Sequence, residues 1–311
     1  PSWSENVTKA NLNWVVLGPG AIGGLIAGAL LEHGQSVSVL PRKNRTREIN
    51  WQVTHKQFKA DYSAPVITQP LAENTVFVIA VKAFDVIQAL QRITTLRGFN
   101  KAMPIIISHN GMVELPEALK ELNLYPLVTT HGAVRSRNEN ADLCIEHRGA
   151  GRSWLEVDPA VRNQPTDFDP GLVLQQAFPP LTLEQDLSQR RWLKFVINCV
   201  INPLTAVHQC ANGELLKESW QAQVYSLVAE AVAVANSQNA SLTTEECYKE
   251  VLLVAKETAL NHSSMLQDIQ QQRRTEIQQL TGYLINAGKT AGVATPTHQQ
   301  LLNEFQQRYS G

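Results

Sequence analysis

Trp14-Val15-Val16-Leu17-Gly18-Pro19-Gly20-Ala21-Ile22-Gly23 is the stretch whose reading decides the fold. A short apolar run ending at glycine describes a strand buried on both faces, as at the centre of a parallel sheet. The glycines then follow the spacing G-x-G-x-x-G, after a strand and at the opening of a helix, which is the setting in which that spacing binds a dinucleotide. The first glycine makes the tight turn and the second lets backbone approach a pyrophosphate. The third lets helix and strand pack closely, and the helix N-terminus attracts the anion. Gly18, Gly20, Ala21, Ile22 and Gly23 are therefore the expected cofactor-binding residues of the turn. The competing reading is a glycine-rich turn without a ligand.

Outward from this stretch, Ala21 to His33 reads as a helix stopped by Gly34. Further strands are expected at Val37 to Leu40, Val76 to Val81 and Pro104 to Ser108, with a helix over Ala83 to Ile93. The alternation is that of a doubly wound α/β sheet. Strands at Leu127 to Val134, Leu143 to His147 and Ser153 to Val157 follow, the last two joined by Arg148-Gly149-Ala150-Gly151-Arg152, which suits a hairpin turn and an antiparallel extension of the sheet. Phe178-Pro179-Pro180-Leu181 breaks regularity, and beyond about Gln185 helical patterns such as Ser219 to Ser237 take over. The expected organisation is an N-terminal extension over 1–13, a Rossmann-type domain over 14–184 and an all-α domain over 185–311. The Gln270-Gln271-Gln272-Arg273-Arg274 tract reads as a solvated helix face or loop.

A chain of 311 residues favours two cores over one, and 43% apolar against 18% charged residues is a globular balance. No apolar run approaches the roughly 20 residues that span a bilayer. A formal charge of -1 offers no global field for nucleic acid or anionic membrane, so a small-molecule ligand is expected and neither of those partners. Cys144, Cys199, Cys210 and Cys247 lie far apart without a C-x-x-C pair, as reduced thiols of a cytoplasmic protein would. The polar opening through Asn13 shows no secretion signal and is assigned no function.

Where NAD-binding domains carry an acidic residue, about 20 residues beyond the glycines, none is present. The second strand runs instead into Pro41-Arg42-Lys43-Asn44-Arg45, whose cations suit a 2'-phosphate. NADP(H) is the expected cofactor and Arg42 its expected anchor, against a solvated basic loop. Lys82 and Asn110 each end a strand on the carboxyl side of the sheet, where ligands of this fold bind, although a capping role suits either one.

Trp192 to Pro203 is strongly apolar yet carries Lys194, Asn198 and Asn202 at i, i+4 and i+8, one stripe of a helix. Buried amines and amides need partners, and a ligand would supply them. The alternative is a snorkelling lysine. Pro203 disfavours helix at Asn202, so a kink or end is expected there. Ser264-Met265-Leu266-Gln267 and Thr275-Glu276-Ile277-Gln278 match capping boxes, placing Ser264 and Glu276 at or beside helix starts, either as simple caps or facing a cleft.

Taken together, these residues resemble the ketopantoate reductase family over nearly the whole chain after Asn13. The resemblance is carried by GPGAIG at Gly18, VKAF with Lys82, HNGM with Asn110, LKFVINCVINPLTAV with Lys194, CANGEL with Asn212, SSMLQDI with Ser264 and RTEI with Glu276. It implies reduction of the C2 carbonyl of ketopantoate to pantoate, for pantothenate and coenzyme A synthesis. In that reading Lys194 is the catalytic general acid and Glu276 the active-site glutamate. Asn110, Asn198, Asn202, Asn212 and Ser264 hold the substrate, and Lys82 and Arg42 lie on the cofactor side with Asn110 shared. Val113 departs from the glycine that commonly follows HNGM, which bears on the substrate more than on the reaction. A reductase of another branched 2-oxo acid, or a non-catalytic NADP(H)-sensing protein, are the alternatives, and neither monomer nor homodimer is singled out.

Overall fold

The buried run quoted above forms β1, Asn13–Val16, and the glycine turn leads into α1, Ala21–Glu32. The computed structural model describes residues 12–42, 47–138, 143–149, 151–158 and 169–309. The N-terminal segment before Leu12, the basic residues Lys43 to Arg45 and Ala150 of the expected hairpin turn lie outside them.

Contacts divide the chain into two units. The first comprises Pro1–Val81, Asp85–His109 and Leu115–Leu187, and the second Lys82–Phe84, Asn110–Glu114 and Ser188–Gly311. In the first unit β2 is Ser36–Val39, β3 Glu48–His55, β4 Phe58–Pro65 and β5 Thr75–Ala80. A 3-10 turn over Ala83–Asp85 opens α2, Val86–Thr94, where a continuous helix from Ala83 is expected from the sequence. There follow β6 Ile105–Ser108, α3 Glu117–Lys120, β7 Leu124–Thr129, β8 Gly132–Arg137, β9 Leu143–Gly149, β10 Ser153–Glu156, α4 Pro170–Ala177 and β11 Leu181–Glu184.

Among the described residues, one seven-stranded sheet has the order β11-β10-β7-β6-β5-β1-β2. Strands β2, β1, β5, β6 and β7 run parallel, and β10 pairs antiparallel with β7 to extend the sheet, as the sequence indicates. A second sheet, β4-β3-β9-β8, is not foreseen in the sequence. Its β3-β4 hairpin turns at Lys56, a non-glycine residue with φ 52°, so the usual Asn-Gly signal is missing. Two expectations are corrected by it. The single strand over Leu127 to Val134 is two strands, broken at Thr130-His131, that enter different sheets. The expected hairpin of β9 with β10 does not form, because β9 pairs with β3 and β8 while β10 pairs with β7 and β11. Alternating hydrophobicity marks a strand without stating which sheet receives it.

Helix α1, AIGGLIAGALLE, is apolar on every side, which is the pattern of a helix with no face left to solvent. Its glycines admit the second sheet closely: a Cβ on Gly24 would meet the Ile145 side chain at 2.1 Å, and one on Gly28 the Tyr62 ring at 2.9 Å. The Trp51 Nε1–H donates to the Gly24 carbonyl at 3.1 Å, so the indole is satisfied despite its burial.

The second unit is helical: α5 Ser188–His208, α6 Glu218–Ser237, α7 Thr244–Glu257, α8 Ser264–Gln270, α9 Tyr283–Ala291 and α10 Pro296–Tyr309. Its core is built around Phe195, Val196, Cys199, Val200 and Leu204 of α5. Of the kink or end expected at Pro203, the end does not occur, since the helix runs on to His208 although Pro203 removes one N–H from the ladder. Asn202, Leu204, Thr205 and Ala206 around it are buried, and this packing outweighs the local cost. No helix among the described residues is long and apolar enough to cross a membrane.

A chain of three histidines closes one end of the second sheet. The His55 Nδ1 lies 2.8 Å from the His147 carbonyl, and His147 Nε2 lies 3.0 Å from His131 Nδ1, which also accepts from Gly151 N–H. Burial, and secondarily His147, lowers His131 from near 6.5 to about 4. Below pH 6.5 the unfolded chain binds a proton that the folded ring refuses, so stability falls as pH drops through this window and levels near pH 4. Calorimetry from about pH 7 down to about pH 4.5 should show the midpoint of the first unit falling more steeply in the wild type than in His131→Gln. Parallel slopes would show that His131 contributes nothing to the decline.

Candidate active site

The glycine turn has the geometry its spacing asks for. Gly18 stands at φ 64°, where a side chain is strained. A Cβ on Gly23 would press on the Gly18 carbonyl at 3.1 Å and on Val16 at 3.4 Å, so only glycine lets α1 lie this close to β1. Gly20 is the N-cap of α1 and brings no side-chain cap, leaving the amides of the first turn, around Ala21 and Ile22, to an outside acceptor. Arg42, just beyond β2, is 76% exposed and ion-paired with Asp85. The structure thus adds a partner that the sequence did not show.

The second unit gathers a different set of groups. Glu276 is buried, and its Oε1 accepts from the Ala83 N–H at 2.8 Å. Its Oε2 lies 3.4 Å from both Lys82 Nζ and Asn110 Nδ2. Lys82 is held more tightly by buried Asp268, at 2.7 Å, whose other oxygen takes Arg273 Nε at 3.1 Å. Glu276 precedes a π-helical turn over Gln278–Gly282, and its carboxylate reaches these partners instead of capping that turn. Lys194 projects from α5 as a partly buried residue. Loss of hydration pulls its ammonium down to about 8, while the charge of Glu276 opposes the fall.

The remaining amides form a second group. Asn202 Nδ2 donates to Ser264 Oγ at 3.4 Å. Asn212 is buried and donates to Thr258 Oγ1 at 2.9 Å, while its carbonyl oxygen has no partner among the described residues. Asn198 continues the Lys194 stripe one turn on. Ser264 is the first residue of α8, and the cap is its neighbour Ser263, whose hydroxyl accepts from Leu266 N–H. The capping-box match of Ser264 with Gln267 therefore falls one residue late: Ser263, with Leu266 three residues on, lacks the Gln of that pattern yet holds the backbone position of the cap. Of the glutamine-arginine tract, Gln270 to Gln272 are exposed as expected. Arg273 is bound to Asp268, and Arg274 lies 4.2 Å over the Phe84 ring.

The structure therefore brings Lys82, Asn110 and Glu276 into direct contact, with Lys194 under the influence of the same carboxylate. Asn202 joins Ser264. The glycine turn and Arg42 belong to the first unit. Asp268 and Asp85 were not singled out from the sequence. The signal for Asp268 was a lone acid among Met265, Leu266 and Ile269, whereas Asp85 gave none.

A dinucleotide-type glycine turn on a parallel sheet, followed by a helical unit with a desolvated lysine beside a carboxylate, defines a dinucleotide-binding reductase. Residues 14–159 match the family described as ketopantoate reductase PanE/ApbA, and residues 186–309 match its C-terminal domain. The chain belongs to the ketopantoate reductase family and is an oxidoreductase of that type. A Vibrio cholerae protein named 2-dehydropantoate 2-reductase is 32% identical over 302 residues, 94% of this chain and 97% of its own. The Salmonella typhi protein of the same name is 30% identical, covering 95% and 94% of the two chains. Among solved structures, 2-dehydropantoate 2-reductase from Methylococcus capsulatus superposes with a TM-score of 0.79 at 20% identity, over 96% of this chain and 98% of its own. A D-mandelate dehydrogenase with NADH and anilino(oxo)acetate gives 0.78 at 22%, over 95% and 98%. At these identities the two structures establish the shared fold.

Replacing Asp268 by Ala strands Lys82 and Arg273 without their buried acceptor and is expected to cost about 1–3 kcal/mol. A urea melt of the second unit checks this, and a change within about 0.3 kcal/mol would mean that solvent replaces the carboxylate without loss.

Proposed function

We propose that this chain reduces the C2 carbonyl of ketopantoate to pantoate with NADPH, in pantothenate and coenzyme A synthesis, with Lys194 as the general acid. The observation that carries the reading is the Lys194 ammonium, lowered to about 8 and within the influence of Glu276. An ammonium near that value is protonated at neutral pH and still acidic enough to give its proton to a developing alkoxide. Its positive charge also stabilises that alkoxide before the proton moves.

The fit to a dinucleotide rests on Gly18, Gly20 and Gly23, which shape the turn and bring no side-chain cap to the first-turn amides of α1. Bound there, a reduced nicotinamide supplies the hydride. Arg42 offers a guanidinium to the 2'-phosphate, and Lys82, held by Asp268, is a second cofactor-side cation. Glu276 accepts from the substrate hydroxyl and tempers the fall in the Lys194 pKa. Asn198, Asn202 and Ser264 hold the substrate carboxylate and oxygens, with Asn110 on both sides. Asn212 contributes a carbonyl oxygen that has no partner among the described residues. Val113, partly buried beside Met112, narrows the approach to Asn110 and so bears on which 2-oxo acid enters.

The test is NADPH oxidation with ketopantoate beside 2-oxoisovalerate. Faster turnover of ketopantoate is the expected result, and a preference for the other acid would reassign the substrate within the class. Lys194→Met should lower kcat by about 10²–10⁴-fold, and a loss under about tenfold would remove the general-acid role. Because the acid must carry its proton, kcat in the wild type should hold below pH 8 and decline as pH rises through about 8. A profile flat to about pH 9.5 would assign the proton to another group.

A further inference from the structure

The carboxylate missing from the end of β2 has a counterpart delivered from another strand. The order β5-β1-β2 sets the ends of β5 and β2 on either side of the Gly18 to Gly23 turn. Arg42 follows β2, Asp85 follows β5 through the 3-10 turn, and their side chains pair. Asp85 is the residue before α2 but makes no side-chain cap, so its carboxylate is committed to Arg42 and not to the helix. Arg42 is 76% exposed and Asp85 21%, and an ion pair this open is weakly held and exchangeable.

We propose that Asp85 is a specificity-determining residue for the nucleotide, competing with the 2'-phosphate of NADPH for Arg42 and accepting from the 2'-hydroxyl of NADH. The proposal rests on the dinucleotide-binding reading of the turn and refines it. A phosphate arriving at Arg42 must displace the carboxylate or lie beside its charge, and either lowers affinity for NADPH. A ribose hydroxyl meets an acceptor in the same place, which is the role acidic residues play at the end of the second strand in NAD-binding domains. The pairing therefore predicts weak discrimination between the two nucleotides, narrower than the basic segment alone implies.

Calorimetric titration of the full chain with NADPH and with NADH tests this in the wild type, Asp85→Asn and Asp85→Ser. Both variants should bind NADPH about three- to tenfold more tightly and NADH about two- to tenfold more weakly, moving the preference by about six- to a hundredfold. The NADPH gain should shrink as salt is raised, since it comes from removing a negative charge near the phosphate. A merely structural Asp85 would shift both nucleotides together, and that result, or an unchanged ratio, overturns the proposal. Failure of the wild type to bind either nucleotide would overturn it together with the dinucleotide reading. A shifted ratio in an enzyme that fails to turn over ketopantoate would support Asp85 and sink only the substrate assignment.

Discussion

The buried carboxylate of Glu276 is the group around which the chemistry of the helical unit is arranged. A charge removed from water must be met by donors, or it is neutralised or expelled. Here the donors are the Ala83 N–H, the Lys82 ammonium and the Asn110 amide. Two of these segments, Lys82–Phe84 and Asn110–Glu114, directly follow strands of the large sheet yet group with the helices. One side chain thus gathers residues far apart in sequence, and the same charge acts on Lys194. Two opposed influences meet at that lysine, with loss of hydration the larger and the nearby carboxylate the smaller. Their balance leaves an amine whose pKa is lowered to about 8.

A comparable economy governs the first unit. Helix α1 must serve both as the anion-facing end of the glycine turn and as the filling between two sheets. Glycine answers both needs: Gly18 permits the turn, Gly23 the close approach to β1, and Gly24 and Gly28 the contact with Ile145 and Tyr62. A larger side chain at Gly23, Gly24 or Gly28 would press on the layers that α1 packs against, whereas at Gly18 it would strain the turn.

Much of this was legible in the chain. The strand, glycine turn and helix at Trp14 to Gly34 follow from a local pattern with a local cause, and so do the parallel strands after them and the long apolar face of α5. The lysine-asparagine stripe was likewise readable, because helical spacing alone puts Lys194, Asn198 and Asn202 on one side. What failed was non-local. The β3-β4 hairpin carries no glycine at its turn. Strand β9 left the hairpin expected of it because alternation does not name a partner strand. Pro203 was read by its local penalty, which the surrounding core outweighs.

The sequence by itself determined the class of fold, which rests on periodicities and spacings contained within single elements, while the residues expected of a reductase site followed from the resemblance to ketopantoate reductases. Only the tertiary structure decided that Asp268 and Glu276 share Lys82, that Arg42 meets Asp85, and which of two adjacent serines caps α8. Those pairings join residues up to 194 positions apart, and a chain records such distances only once its strands have taken their order and its buried charges have found their counterparts.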